Sequence, residues 1–178
     1  QIQSYVKQLI DVTKSWNCSD VTYTTVRLED FFADIKEQAL GLAEIYHQII
    51  DWKAGQSDKK VTIAYDPMFR AIMNMIQNAV EHTKENGIIY IDAKEQDGRL
   101  TFIVEDSGSG FTKEALLHGT EQFFMDDTSR NGEAHYGMGL FFAKTVAEKY
   151  GGGIKLSNSE NTGGARVEIF FLSSQKTG

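Results

Sequence analysis

Three short motifs in a fixed order constrain this chain more than any other feature. The first, IMNMIQNAVEHT, carries Asn74, Asn78 and His82 at four-residue intervals within a helical pattern. The second, DSGSG, puts Asp106 at the end of an apolar alternation, with Gly108 and Gly110 behind it. The third, GMGL, sets Gly137, Met138 and Gly139 before Leu140 at the start of a helix. A fold that serves all three must bring a helix face, a strand end and a helix start to one place.

Each motif has its own chemistry. Asn74 and Asn78 lie at i and i+4, so their side chains point the same way. A neutral carboxamide oxygen suits Mg²⁺ when phosphates supply the negative charge and water fills the octahedron. A solvated helix face would show the same split of polar and apolar residues. Two asparagines stacked mid-helix are unusual because asparagine is a poor helix former. Asp106 follows Leu100, Phe102 and Val104, and its carboxylate can accept from the exocyclic amino group of a base. The glycines behind it let backbone approach a flat ring; a plain Asp-Gly turn is the other reading. At Gly137–Leu140, converging N–H groups and the helix N-terminus suit a phosphate. Arg130, just upstream, is a candidate for the terminal phosphate. Phe123 and Phe124, in polar surroundings, suit a movable flap or ordinary loop packing. Together the motifs describe a pocket for ATP and Mg²⁺.

Composition narrows the alternatives. The chain has 178 residues, 41% hydrophobic, enough for one sizeable core. A net charge of -7 leaves no basic stripe for a nucleic-acid backbone, though one nucleotide needs only local donors. Cys18 is the sole cysteine, so no internal disulfide forms and a reducing, cytoplasmic setting is expected. No apolar run reaches membrane-spanning length.

The remaining pattern is mixed. Ile2, Val6, Leu9, Thr13 and Trp16 recur at helical spacing, as the end of a longer helix or an ordinary amphipathic one. Residues 17–24 read as a polar linker. A helix is expected from Leu28 to about Trp52, with Phe31, Phe32, Ile35, Leu42, Ile45 and Ile49 on its apolar face. Val61–Ile63 reads as a short strand, and Asp66-Pro67 as the start of the next helix, with Asp66 at its cap. In that helix Phe69, Ile72, Met73, Ile76, Ala79 and Val80 form the apolar side. Asn86-Gly87 ends it. Asp97-Gly98 marks a hairpin between 88–93 and 100–105. The stretch 111–136 holds one short helix at most. Leu140–Tyr150 is helical, with Gly151 as its stop. Strands at 154–156 and 166–172 flank an Asn161–Gly164 turn. Helices and antiparallel strands without strict alternation predict an α+β layered sandwich.

In order, these motifs resemble the ATP-binding catalytic domain of bacterial sensor histidine kinases, in the superfamily that includes gyrase, heat-shock chaperone and mismatch-repair ATPases. Asn74–Thr83 looks like the N box, Asp106–Gly110 the first glycine box and Glu121–Phe124 the F box. Gly137–Leu140 looks like the second glycine box, and Gly163-Gly164 the last glycine position. The match covers about residues 25–173. It implies the two-layer α/β sandwich called the Bergerat fold, with a mixed sheet packed against helices. It assigns Mg²⁺ to Asn78 and Asn74, and adenine to Asp106. It gives the phosphates to the lid glycines and makes His82, in the N box, a pocket or core residue. Residues 1–16 resemble the end of the dimerisation helix, leaving 17–178 as the catalytic domain.

The resemblance also implies partners: a dimerisation domain carrying the phosphoacceptor histidine, and a response regulator. It implies a homodimeric, membrane-anchored full-length protein and leaves the state of this piece alone open. Relatives that hydrolyse ATP carry a glutamate base near the position of Asn74. An amide cannot take a proton from water, which favours a kinase. None of His47, His82, His118 or His135 has the context of a phosphoacceptor. Glu81 stands where many relatives have a basic residue, so it turns away or weakens binding. His135 replaces a glycine, and Ala165 replaces a frequent threonine with a small expected effect. A degenerate, non-catalytic nucleotide-binding module and an anti-sigma-type protein-serine kinase remain as alternatives.

Overall fold

The computed structural model describes Val6, Lys7, Ile10, residues 22–121 and residues 137–173. Helix α1 (Leu28–Ile45) buries Leu28, Phe31, Phe32, Ile35, Ala39 and Ala43, a 3.6-residue stripe. Glu29 and Asp30 in its first turn complement the helix dipole. It stops earlier than its sequence pattern predicts. Tyr46 caps it, His47 turns left-handed at φ 54°, and strand β2 (Ile49–Trp52) follows. Ile45 and Ile49 therefore do not share a buried helix face; they are 73% and 56% exposed.

Strand β3 (Lys60–Ile63) pairs antiparallel with β1 (Thr24–Arg27), so the end of the expected linker is also a strand. Helix α2 (Tyr65–Glu81) begins a residue before Asp66, with Ala64 at its cap and no side-chain cap bond. Asp66 instead sits in the first turn, where its charge still favours the helix N-terminus. The buried residues of α2 are Met68, Ala71, Ile72, Met75, Ile76, Asn78, Ala79 and Val80. Phe69 and Met73, expected inside, are half-buried at the rim, because α2 is covered both by the sheet and by neighbouring helices.

The hairpin is as predicted: β4 (Ile88–Gln96) and β5 (Arg99–Asp106) meet at Asp97 and Gly98, with φ 53° and 78°. Two consecutive positive φ values are what a primed hairpin turn requires. A short helix α3 (Lys113–His118), capped by the Thr112 side chain, precedes α4 (Gly137–Lys149). Strands β6 (Gly153–Asn158) and β7 (Ala165–Leu172) complete the main sheet. Its order is β2-β4-β5-β7-β6, antiparallel except for the parallel β2–β4 pair.

Helices α1, α2 and α4 cover one face of this sheet. That face carries Ile89, Ile91 and Ala93 from β4, Leu100, Phe102 and Val104 from β5, and Val167, Ile169 and Phe171 from β7. Phe102 is fully buried and meets the rings of Phe31 and Phe32 edge-on. Truncating it to alanine would cost about 3–5 kcal/mol. The α+β two-layer sandwich expected from the sequence is the architecture observed. Asp106 continues the inward register of Leu100, Phe102 and Val104, so the strand ends by aiming a carboxylate into the helical layer.

Candidate functional site

Asp106 is only 3% exposed. Its Oδ1 accepts from the N–H of Gly108 at 2.9 Å and of Ala165 at 3.1 Å. Oδ2 receives neither bond. Burial pushes the carboxyl above its ordinary value, and the two N–H groups pull it partly back. A half-dressed buried carboxylate of this kind is built to accept one further donor.

The loop after Asp106 is pinned on both sides. Ser107 N–H donates to Ile88 O at 3.1 Å, and Ser107 Oγ accepts from Ile88 N–H at 2.9 Å. Asn158 Oδ1 accepts from Phe111 N–H at 2.6 Å while its Nδ2 donates to Phe111 O at 3.1 Å. Between these points Gly110 has φ 83°, and a Cβ there would lie 2.8 Å from Asn158 Oδ1 and from Gly163 O. At Gly164 a Cβ would fall 1.9 Å from Asp106 O. The last glycine pair is thus a space requirement of Asp106. Asn158 and Thr162 belong to this frame and carry no motif signal in the sequence, and Ser107 lies inside DSGSG without a role read for it there.

Helix α2 supplies the other wall. Asn78 is 7% exposed, and its side chain makes no hydrogen bond among the described residues. Asn74 stands one turn earlier, and the backbone of α4 passes close by: a Cβ on Gly139 would lie 3.8 Å from Asn74 O. At the end of α2, His82 caps the helix, and its carbonyl lies 3.0 Å from where a Gly108 Cβ would be. The first motif therefore touches the second through His82 and the third through Asn74. Glu81 is exposed, and its Oε1 accepts from Gln77 Nε2 at 2.9 Å.

Gly137 and Met138 lie in the helical backbone of the first turn of α4. Leu140 is fully buried in the core, so its side chain anchors the helix rather than lining an opening. Glu121 is exposed and pairs with His118 Nδ1 at 2.8 Å. Phe123, Phe124, Arg130 and His135 lie outside the described residues.

The donor set fits a hard cation shared with phosphates. Asn74 and Asn78 offer carboxamide oxygens, and the Asn78 amide makes no hydrogen bond among the described residues. Among the described residues no group of three or more His, Cys, Asp or Glu could hold a metal ion.

A strand-end carboxylate, an asparagine-bearing helix and a glycine-led helix meeting at one end of an α+β sandwich define a nucleotide-binding domain. The model described as "Histidine kinase-, DNA gyrase B-, and HSP90-like ATPase" matches residues 64–175, and the chain belongs to that family of ATP-binding domains. The sensor histidine kinase SpaK of Bacillus subtilis is 31% identical over 169 residues, 95% of this chain and 37% of that protein. The nisin biosynthesis sensor protein NisK of Lactococcus lactis subsp. lactis is 31% identical over 166 residues, 92% of this chain and 36% of that one. The chain thus spans a little over a third of the length of these relatives. The catalytic domain of histidine kinase ThkA shares the fold at TM-score 0.72 and 19% identity, over 87% of this chain and 99% of that one. Full-length ShkA in complex with AMPPNP does so at TM-score 0.76 and 20% identity, over 97% of this chain and 36% of that one.

Proposed function

We propose that this chain is the ATP-binding domain of a two-component sensor histidine kinase. Asp106 reads adenine, Asn78 and Asn74 hold Mg²⁺ on the triphosphate, and the start of α4 (Gly137, Met138 and Gly139) takes the phosphates. The sequence resemblance assigns Phe124 to the F box, and Arg130 is the candidate for the terminal phosphate. The observation that carries the reading is Asp106: one oxygen is fixed by backbone, and the other is left for an amino group.

A bound Mg²⁺ would supply charge neutralisation at the β- and γ-phosphates. The chain's own residues orient the nucleotide and keep its base in a closed site. The reaction is then attack of a histidine imidazole nitrogen on the γ-phosphorus: a P–N bond forms, the P–O bond to the β-phosphate breaks, and ADP leaves. The acceptor histidine belongs to a dimerisation domain, and the phosphoryl group passes on to an aspartate of a response regulator. Asn74 argues against hydrolysis as the main outcome, since an amide accepts no proton from water.

Residues 1–16 are read as the end of the dimerisation helix. Val6, Lys7 and Ile10 are helical, and Val6 and Ile10, one turn apart, are 48% and 46% exposed. Such a stripe suits a helix partner. No helix among the described residues is long and apolar enough to cross a membrane. The domain is assigned to the cytoplasmic side of a membrane-anchored homodimer.

The test is to add a segment carrying an acceptor histidine followed by an acidic residue, with radiolabelled ATP and Mg²⁺. Acid-labile, base-stable label on that segment is expected. Label that survives acid would indicate a serine kinase, and no ATP binding at millimolar nucleotide would indicate a degenerate module.

A further inference from the structure

Ala165 provides no hydroxyl beside Asp106, yet a hydroxyl reaches the same residue from elsewhere in the turn. Thr162 Oγ1 donates to Asp106 O at 2.8 Å and accepts from Gly164 N–H at 3.1 Å. Asp106 O lies just past the last β5–β7 pair, Glu105 with Arg166, so the ladder offers it no partner. It is also walled in by Gly164. The turn that carries Thr162 is itself tied down. Ser159, 5% exposed, donates to Glu105 Oε2 at 2.9 Å and accepts from the N–H groups of Asn161 and Thr162, both at 3.2 Å. Ser159 N–H donates to Gly164 O at 2.7 Å.

We propose that Thr162 is a positioning residue for base recognition, holding the Asp106 main chain so that Oδ1 stays on Ala165 N–H and Oδ2 stays toward the ligand. On the far side Ser107 is held by both backbone groups of Ile88, so Thr162 completes a two-sided clamp. Without the hydroxyl the peptide after Asp106 is held from the Ser107 side alone, and the direction of the carboxylate is less tightly fixed. Adenine offers an amino group at the position where guanine offers a carbonyl oxygen. A fixed carboxylate oxygen discriminates between them; a wandering one does so less. The proposal rests on the ATP reading above.

The experiment is calorimetric titration of the 178-residue chain with ATP and with GTP, for wild type, Thr162→Val, Thr162→Ala and Thr162→Ser. Thr25→Val, which removes a hydroxyl pair with Thr62 on the small sheet, serves as the structural control. Thr162→Val and Thr162→Ala are expected to lose about tenfold in ATP affinity, as for one hydrogen bond to a buried group. Their preference for ATP over GTP should narrow, while Thr162→Ser stays within about threefold of wild type. Thr25→Val should leave both constants alone. Hydrogen exchange at the Ala165 amide, measured without nucleotide, should accelerate in Thr162→Val and Thr162→Ala only. Folded Val and Ala variants with wild-type ATP preference and unchanged Ala165 exchange would overturn the clamp. A wild-type chain that binds no ATP would overturn the nucleotide reading instead, with the exchange result still judging the clamp.

Discussion

The main-chain N–H of Ala165 donates to Oδ1 of Asp106, joining the first residue of β7 to the last residue of β5 through a side chain. The bond lies beyond the regular ladder and substitutes for it. It also fixes which carboxylate oxygen is committed to the protein, and in the proposed function Oδ2 is the one that meets the base.

Space around this bond makes a prediction about two glycines. Gly164→Ala would drive a Cβ into Asp106 O and should destabilise the domain by about 3 kcal/mol or more. Gly41→Ala, mid-helix in α1 with nothing within 4 Å, should stabilise by about 0.5–1 kcal/mol. Thermal unfolding of the two variants should therefore move in opposite directions.

Under the proposed function Asn78 is a Mg²⁺ ligand, and its replacement separates binding from stability. Asn78→Leu puts an apolar side chain of similar reach at a largely buried position whose amide makes no hydrogen bond among the described residues. Its melting temperature should be unchanged or higher. Mg²⁺-dependent ATP affinity should fall at least about tenfold, since one of two protein ligands is gone. A variant that melts lower and keeps Mg²⁺-dependent affinity would place the metal elsewhere.

Much of this could be read in the sequence, for physical reasons. The Asp97-Gly98 hairpin was legible because only a few residue types tolerate consecutive positive φ. The strand-end position of Asp106 followed from the alternation of Leu100, Phe102 and Val104. Strand β2 was not legible. Ile45 and Ile49 fit a helical repeat, and the break between them rests on His47 turning left-handed, with neither glycine nor proline to announce it. Strand β1 was not legible either: only Thr24 falls in the 17–24 linker reading, and its four residues, exposed or nearly so, carry no apolar alternation. Thr162 and Asn158 escaped because their work is side chain to backbone, across 56 and 47 residues of chain. Such bonds leave no periodic trace.

Burial raises the Asp106 carboxyl above the ordinary aspartate value, and the sign of the consequence follows. A folded-state value above the unfolded one gives stability that is fully present below the unfolded value and lost as pH rises through the folded one. Asp106→Asn should therefore gain stability relative to wild type as pH rises from the ordinary aspartate value toward neutrality. Bound adenine favours the carboxylate, so the Asp106 midpoint, followed by carboxyl-carbon NMR, should drop when nucleotide binds. A midpoint that stays put on binding would remove Asp106 from the site.

The most direct measurement is calorimetric titration of Asp106→Asn with ATP and Mg²⁺ at neutral pH, beside its melting curve. Asparagine Oδ1 can keep the Gly108 and Ala165 bonds, while its Nδ2 puts a donor where adenine also brings one. The account predicts an affinity loss of about 10- to 100-fold, with a melting temperature no lower than wild type. Wild-type affinity in this variant would contradict it.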